Sequence, residues 1–224
     1  MKNHYTITAI ILVAALSFKK MNMAKITPNL YMDKYEVTNG EWKAFEKHLA
    51  KEEENPTIYR TNEVWDAEYM KPFREQYYQH PAYSDYPVVG ITYEGAKKYC
   101  TWKGTQSKTE GTFRLPKIEE LQYQMTEGEQ GKKWTKWQKR AKKSDEMLYN
   151  FADKKGCLMA NIKSYPDNKF GVHNIKGNVA EMTVTKGKAI GGSYADSRDI
   201  DWVTHIQTYD APTNWLGFRC VCEL

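Results

Sequence analysis

The final third of the chain holds four short glycine-bearing strings, and their order constrains the fold more than any other feature of the sequence. Glycine is favoured where the backbone needs a positive φ or where another group approaches it closely. One such string alone is weak evidence, because Gly-Gly-Ser and Gly-Asn also occur in ordinary loops. Four such strings in this order strongly indicate one particular fold. They are residues 166–171 (PDNKFG), 177–181 (GNVAE), 191–194 (GGSY) and 217–220 (GFRC).

Three further strings lie upstream, and together the seven span residues 31–222. The upstream strings are 34–42 (KYEVTNGEW), 86–102 (YPVVGITY running on to YCTW) and 113–116 (FRLP). The pattern resembles the formylglycine-generating enzyme, or sulfatase-modifying factor, family. The resemblance implies an α+β, C-type-lectin-like fold that is low in regular secondary structure.

A narrower resemblance lies in residues 63–65 (EVW) and 80–90 (HPAYSDYPVVG). These strings are similar to the branch of the family found among gliding-motility and type IX secretion lipoproteins. Those relatives are longer and lipid-anchored, whereas this chain has no cysteine before Cys100. The resemblance implies a link to gliding motility or protein secretion.

The length of 224 residues, with 41% hydrophobic residues, predicts one domain with a real core. Residues 1–18 carry Lys2 and then a short apolar run, which predicts a secretory signal peptide. We assign 19–30 to a linker and 31–224 to the domain. The apolar run is too short to cross a bilayer and no second one follows, so the mature chain is expected to lack a transmembrane span. It is expected to be exported, periplasmic or associated with the cell envelope.

The formal charge of +5 is mild, and three lysines belong to the N-terminal segment, so nucleic-acid binding is not implied. Residues 132–143 are nevertheless basic, with Trp134 and Trp137 interleaved. Two interpretations stay open for this segment. One is a solvated helix with two partly buried tryptophans, and the other is contact with an anionic surface such as lipid headgroups or acidic glycan.

The spacing of Trp42, Phe45 and Leu49 predicts the buried face of a helix. Residues 51–85 are polar and contain three prolines, which predicts a long irregular connection. Such a loop is a candidate surface for recognising a protein partner.

Four cysteines in an exported protein are expected to pair rather than to stay free. The resemblance implies a disulfide between Cys100 and Cys220. If residues 218–223 form a strand, Cys222 lies on the same face as Cys220. Cys157 is then the remaining candidate to pair with Cys222.

The catalytic members of the family carry two cysteines three and eight residues after the serine of Gly-Gly-Ser, and these hold copper. Asp196 and Asp201 stand at those positions here. Thiolates select Cu(I), whereas carboxylates prefer hard cations, so copper is not expected. We therefore predict a non-catalytic protein in which Ser193, Asp196 and Asp201 line a recognition pocket for an envelope partner.

The resemblance also implies a structural calcium ion. Its ligands would be Asn178, the carbonyl oxygen of Val179, and Glu181. A second calcium site would begin at Asn150, although Lys154 and Lys155 replace the acidic residues expected nearby.

Two rival functions remain at this stage. One is a metal-dependent oxidoreductase in which histidines and aspartates bind iron. The other is glycan binding by a lectin-like fold, which rests on analogy of fold. The iron ligands would come from His80, His173, His205, Asp196 and Asp201.

Overall fold

The computed structural model describes residues 21–65, 68–107, 110–144, 148–152 and 158–224. Within these ranges the backbone forms two four-stranded sheets and five α-helices, joined by irregular segments and short 3₁₀ turns. The strands have two to five residues each. The predicted α+β fold with little regular secondary structure is confirmed. The predicted signal peptide, residues 1–18, lies outside the described residues.

The first sheet joins the first described strand to the last one. Its antiparallel order is β1 (Met23–Thr27), β2 (Leu30–Asp33), β8 (Val221–Glu223) and β3 (Thr112–Arg114). Strand β1 falls inside residues 19–30, which the sequence analysis assigned to a linker. The structure instead builds this segment into the sheet, because Met23, Ala24 and Ile26 are apolar and are buried there.

The second sheet brings together the glycine-bearing strings at residues 177–181 and 217–220. Its order is β6 (Ile206–Thr208), β5 (Lys188–Ile190), β4 (Ala180–Met182) and β7 (Leu216–Gly217). Strands β4 and β7 are parallel and pair Glu181 with Gly217. A Cβ atom on Gly217 would lie 2.7 Å from the side chain of Val179, so only glycine allows this close approach.

The helices are α1 (Asn39–Lys51), α2 (Lys71–Gln79), α3 (Tyr93–Thr105), α4 (Ile118–Thr126) and α5 (Lys132–Ser144). Helix α1 begins at a capping box. The Thr38 side chain accepts the Glu41 N–H, and the Glu41 carboxylate accepts the Thr38 N–H, which satisfies two otherwise unpaired donors. The predicted inner face of α1 is confirmed, because its three apolar residues are at most 2% exposed.

The segment 51–85 is more ordered than the sequence predicts. It contains α2 and 3₁₀ turns at Pro56–Tyr59, Glu63–Trp65 and Pro81–Tyr83. Tyr77 and Trp65 are buried with ring centroids 5.0 Å apart. The prediction of an irregular connection was wrong here, because aromatic packing holds the polar segment together.

A disulfide between Cys100 of α3 and Cys220 crosses the main core, with 5.7 Å between the Cα atoms. It lies among Trp42, Tyr99 and Phe218. Cys222 is buried without a disulfide partner among the described residues. Its predicted partner, Cys157, lies outside them.

Candidate functional site

A fully buried ion pair stands where β4 and β7 meet. Glu181 and Arg219 are 1% and 0% exposed. The Arg219 Nε atom lies 2.8 and 2.7 Å from the two Glu181 oxygens, and Nη2 lies 2.5 Å from Oε1. Arg219 also donates to the carbonyl oxygens of Asp33 and His173. The guanidinium is therefore held by four acceptor oxygens.

Asn178 joins three chain segments beside this pair. Its φ of 62° follows the 71° of Gly177, so the chain makes a left-handed turn that asparagine and glycine tolerate. Its Oδ1 accepts the Ala160 N–H at 2.7 Å and the Asn150 Nδ2 at 3.1 Å. Its own Nδ2 donates to Glu36 Oε1 at 2.8 Å.

Asn178, Glu181 and Asn150 do not fit the calcium ion that the family resemblance implies. Calcium takes six to eight oxygen ligands, but both Glu181 oxygens accept from Arg219 and the Asn178 Oδ1 accepts from two N–H groups. The Asn150 amide nitrogen donates to Asn178 and to the Leu158 carbonyl oxygen. Val179 was predicted to contribute only its carbonyl oxygen, and its side chain packs in an apolar cluster. The guanidinium supplies the positive charge that Glu181 needs. Residues 153–156 of the second predicted site lie outside the described residues.

Glu36 is a second buried acid in this network, and the sequence analysis did not identify it. Its oxygens accept from the Nδ2 atoms of Asn178 and Asn174 at 2.8 and 3.0 Å. No lysine or arginine of the described chain forms an ion pair with it. Burial raises the pKa of Glu36 to about 7, although the charge of Arg219 and the Asn178 hydrogen bond act in the opposite direction.

Folding stability is expected to fall as the pH rises from about 4.5 through 7. In this range the folded state holds a proton on Glu36 that the unfolded state releases, so the folded state is favoured below it. The shift from 4.5 to about 7 corresponds to about 3 kcal/mol. Glu36→Gln should flatten the dependence of the melting temperature on pH, whereas Glu119→Gln on the exposed side of α4 should leave it unchanged. Equal profiles for wild type and Glu36→Gln would contradict this assignment.

A polar cavity of about 150 Å³ opens beside Glu36. Asp33 and Lys103 form a buried ion pair on its wall at 2.6 Å, and the Cys220 N–H donates to the second Asp33 oxygen at 2.9 Å. The residues that line this cavity carry both positive and negative charges, and none of them is a cysteine. The charged residues around it are Asp33, Glu36, Glu41, Asp85, Lys103 and Lys163.

Ser193, Asp196 and Asp201 are held by hydrogen bonds within the described part of the chain. Ser193 is fully buried, and its Oγ and N–H both donate to Asp196 Oδ2, at 2.7 and 2.8 Å. Gln207 donates to the same oxygen at 3.1 Å. Asp201 accepts from the Val203 N–H and the Thr204 hydroxyl. Each aspartate therefore accepts hydrogen bonds that stabilise its turn, and the recognition pocket predicted at these residues stays a prediction.

The turn at residues 191–192 is covered by an aromatic side chain. Trp202 is buried and stacks on Phe151 with 5.9 Å between ring centroids. A Cβ atom on Gly192, whose φ is 69°, would lie 2.6 Å from the indole. Gly192 thus leaves room for Trp202, whereas a Cβ atom on Gly191 would lie 3.0 Å from the Ile175 carbonyl oxygen.

The three histidines of the rival iron site are each held by local contacts. His80 accepts the Ala82 N–H as the cap of a 3₁₀ turn. His173 stacks on Tyr35 and bonds the Tyr165 carbonyl through Nδ1, and His205 packs edge-on against Trp202. Across the described part of the chain, no three His, Cys, Asp or Glu side chains form a group that could hold a metal ion.

Sequence reasoning missed Asp33, Glu36, Lys103 and Arg219 as members of the buried network. The available signal was that each of these charged residues follows a large apolar or aromatic one (Met32, Tyr35, Trp102 and Phe218), since charged residues are seldom buried without partners. Glu36 and Arg219 both lie in strings that carried the family resemblance.

Comparison with known proteins identifies the family. The family described as "Sulfatase-modifying factor enzyme 1-like domain" matches residues 14–224. The bovine (Bos taurus) "Inactive C-alpha-formylglycine-generating enzyme 2" is 23% identical over 61% of this chain and 50% of its own length. The mouse (Mus musculus) "Formylglycine-generating enzyme" is 24% identical over 86% of this chain and 66% of its own length. The chain thus spans about half of the first of these relatives.

Solved structures show the same fold. PvdO from Pseudomonas aeruginosa aligns with a TM-score of 0.59 and 19% identity, covering 87% of this chain and 80% of that one. Treponema denticola variable protein 1 aligns with a TM-score of 0.57 and 16% identity, covering 87% and 84%. Among the described residues, no helix has the length and apolar character needed to cross a membrane.

Proposed function

The chain belongs to the sulfatase-modifying factor family, and we propose that it is a non-catalytic member acting as a binding or structural component of the cell envelope. The observation that carries the proposal is the role of Asp196 and Asp201. They stand where the resemblance places the copper-binding cysteines, and both carboxylates are hydrogen-bonded within turns. A position occupied by a capping carboxylate offers no thiolate for copper.

The other described cysteines do not replace the missing pair. Cys100 and Cys220 are bonded to each other in the core. Cys222 is buried, and burial raises the pKa of its thiol to about 11. A thiol of this kind stays protonated near neutral pH and is a poor nucleophile and metal ligand.

Three observations support an envelope location. The pattern of residues 1–18 is typical of an export signal, and a core disulfide suits an oxidising compartment. The strings at 63–65 and 80–90 resemble gliding-motility and type IX secretion proteins, which favours a role beside that machinery.

Two mammalian relatives, from cattle and mouse, are named inactive, in line with loss of catalysis within the family.

Segment 51–85 offers the surface that best suits a protein partner. Ile58 is 59% exposed on the 3₁₀ turn Pro56–Tyr59, and an exposed apolar side chain on a fixed turn is suited to anchor an interface. Tyr59 of the same turn packs against the main core, and an aromatic cluster that includes Trp65 and Tyr77 orders the rest of the segment.

The test is an assay for formylglycine formation. Purified protein is incubated with copper, oxygen and a peptide bearing the sulfatase Cys-x-Pro-x-Arg motif, and the peptide is analysed by mass spectrometry for conversion of cysteine to aldehyde. We expect no conversion, with the mouse formylglycine-generating enzyme as a positive control in parallel. Conversion by this protein would overturn the non-catalytic assignment.

For the binding role, Ile58→Asp should weaken cross-linking to envelope proteins without lowering the melting temperature, and unchanged cross-linking would contradict the assigned surface.

A further inference from the structure

The net positive charge of the protein comes from one helix. Helix α5 has 13 residues, of which seven are lysine or arginine and none is acidic. The whole chain has a formal charge of only +5, so the remainder of the sequence is net negative. The basic character of this protein is therefore a local property of α5.

Helix α5 has two different faces. Trp134, Trp137 and Ala141 follow one another at spacings of three and four residues, which places them on one side of a helix. Trp134 is 4% exposed and packs 6.0 Å from the ring of Tyr149, while Trp137 and Ala141 are half-buried. This face fixes the helix to the body of the protein.

The opposite face carries a row of lysines. Lys132, Lys136, Lys139 and Lys143 are spaced by four, three and four residues and are all exposed. At 1.5 Å per residue the row is about 16 Å long. Lys142 lies at its edge and is also exposed.

These five lysines have no ion-pair partner among the described residues. The other two basic residues of α5 do have contacts, since Lys133 pairs with Asp167 and Arg140 lies over the Trp137 ring. Like charges four residues apart destabilise a helix, and α5 contains several such pairs without acidic residues to offset them. An anionic partner that contacts the whole row would remove this repulsion.

The geometry of the row decides between classes of anionic partner. Interfaces with proteins rely on apolar or aromatic anchors, and single-stranded nucleic acid relies on aromatic side chains on which bases stack. Here both tryptophans lie on the face toward the protein body. The exposed lysine face therefore offers neither an apolar anchor for a protein nor an aromatic ring on which bases could stack. A convex row of lysine point charges instead suits a flat surface of closely spaced anions, which is the arrangement of headgroups on an anionic bilayer.

We propose that helix α5 docks the protein on the surface of an anionic lipid bilayer, with its lysine row among the headgroups and its tryptophans outside the hydrocarbon. This inference goes beyond the envelope role proposed above, because it names the surface and the contacting element. It is independent of catalysis, so its test and the formylglycine assay can fail separately.

The experiment is co-sedimentation of the full chain with vesicles of phosphatidylcholine, with and without phosphatidylglycerol. We expect binding only to the anionic vesicles, and its loss at 1 M salt, where the screening length falls to about 3 Å. Each lysine near such a surface contributes roughly fivefold to binding, so Lys136→Gln/Lys139→Gln should weaken binding by roughly 25-fold. Glutamine keeps a similar helix propensity.

The matched control is Lys47→Gln/Lys51→Gln, two exposed lysines four residues apart on α1. It removes the same charge elsewhere and should change binding far less. Equal loss in both double variants, or equal binding to neutral vesicles, would overturn the proposal. A blue shift of tryptophan fluorescence on binding would also contradict it, because it would show insertion. Retention on an acidic polypeptide or single-stranded DNA without vesicle binding would assign the row to another partner and reject the lipid surface.

Discussion

Arg219→Met is expected to destabilise the protein by about 3–5 kcal/mol, because it leaves the Glu181 carboxylate buried without its counter-charge. The pair is the most deeply buried one described, with both side chains at most 2% exposed. The loss also leaves the carbonyl oxygens of Asp33 and His173 without the donors that Arg219 provides. Urea unfolding followed by circular dichroism measures the change.

Two further variants separate charge from shape. Arg219→Lys keeps the charge but cannot donate in the same forked geometry, so its stability should lie between those of Arg219→Met and the wild type. The double variant Glu181→Leu/Arg219→Met removes the unpaired charge and should recover part of the lost stability. If Arg219→Met costs less than about 1 kcal/mol, well below the range for a broken buried pair, the pair does not hold the fold together.

Removal of the Cys100–Cys220 disulfide is expected to cost about 5 kcal/mol in the chain-entropy model. The bond closes a loop of 120 residues in sequence, so its loss greatly increases the freedom of the unfolded chain. Cys100→Ala/Cys220→Ala should therefore unfold at much lower urea concentration than the wild type. Addition of a reductant should destabilise the wild type and leave the double variant unchanged.

Cys222→Ala provides the matched control, since it removes a buried cysteine two positions from Cys220 without breaking the described disulfide. This variant should keep its sensitivity to reductant. Loss of that sensitivity would show that Cys222, rather than Cys220, carries the stabilising bond.

The sequence predicted much of the local structure correctly. The apolar spacing of Trp42, Phe45 and Leu49 marked the inner face of α1, because helical periodicity is a short-range property. Prediction from the sequence failed for residues 51–85, where packing between aromatic rings organises a polar, proline-containing segment. It also missed β1, since a five-residue strand gains its stability from pairing with β2 rather than from its own composition.

The predicted sites show the same division. Glu181 and Asn178 were predicted to bind calcium, but the sequence did not indicate that the Arg219 guanidinium would pair with the Glu181 carboxylate. Ser193 and Asp196 were predicted to line a recognition pocket, and the structure shows that the Ser193 hydroxyl donates to Asp196. Residue type alone does not distinguish an oxygen that binds a ligand from one that caps a turn.

The sequence by itself determined where the chain must turn, which face of α1 is apolar, and that no thiol stands at positions 196 and 201. These are properties of single residues and of spacings within a few positions. Only the tertiary structure decided that Glu181 pairs with Arg219, 38 residues away, and that Asp33 pairs with Lys103, 70 residues away. The physical reason is that burial makes an unpaired charge costly, and the partner that offsets this cost is chosen by which segments the fold brings together.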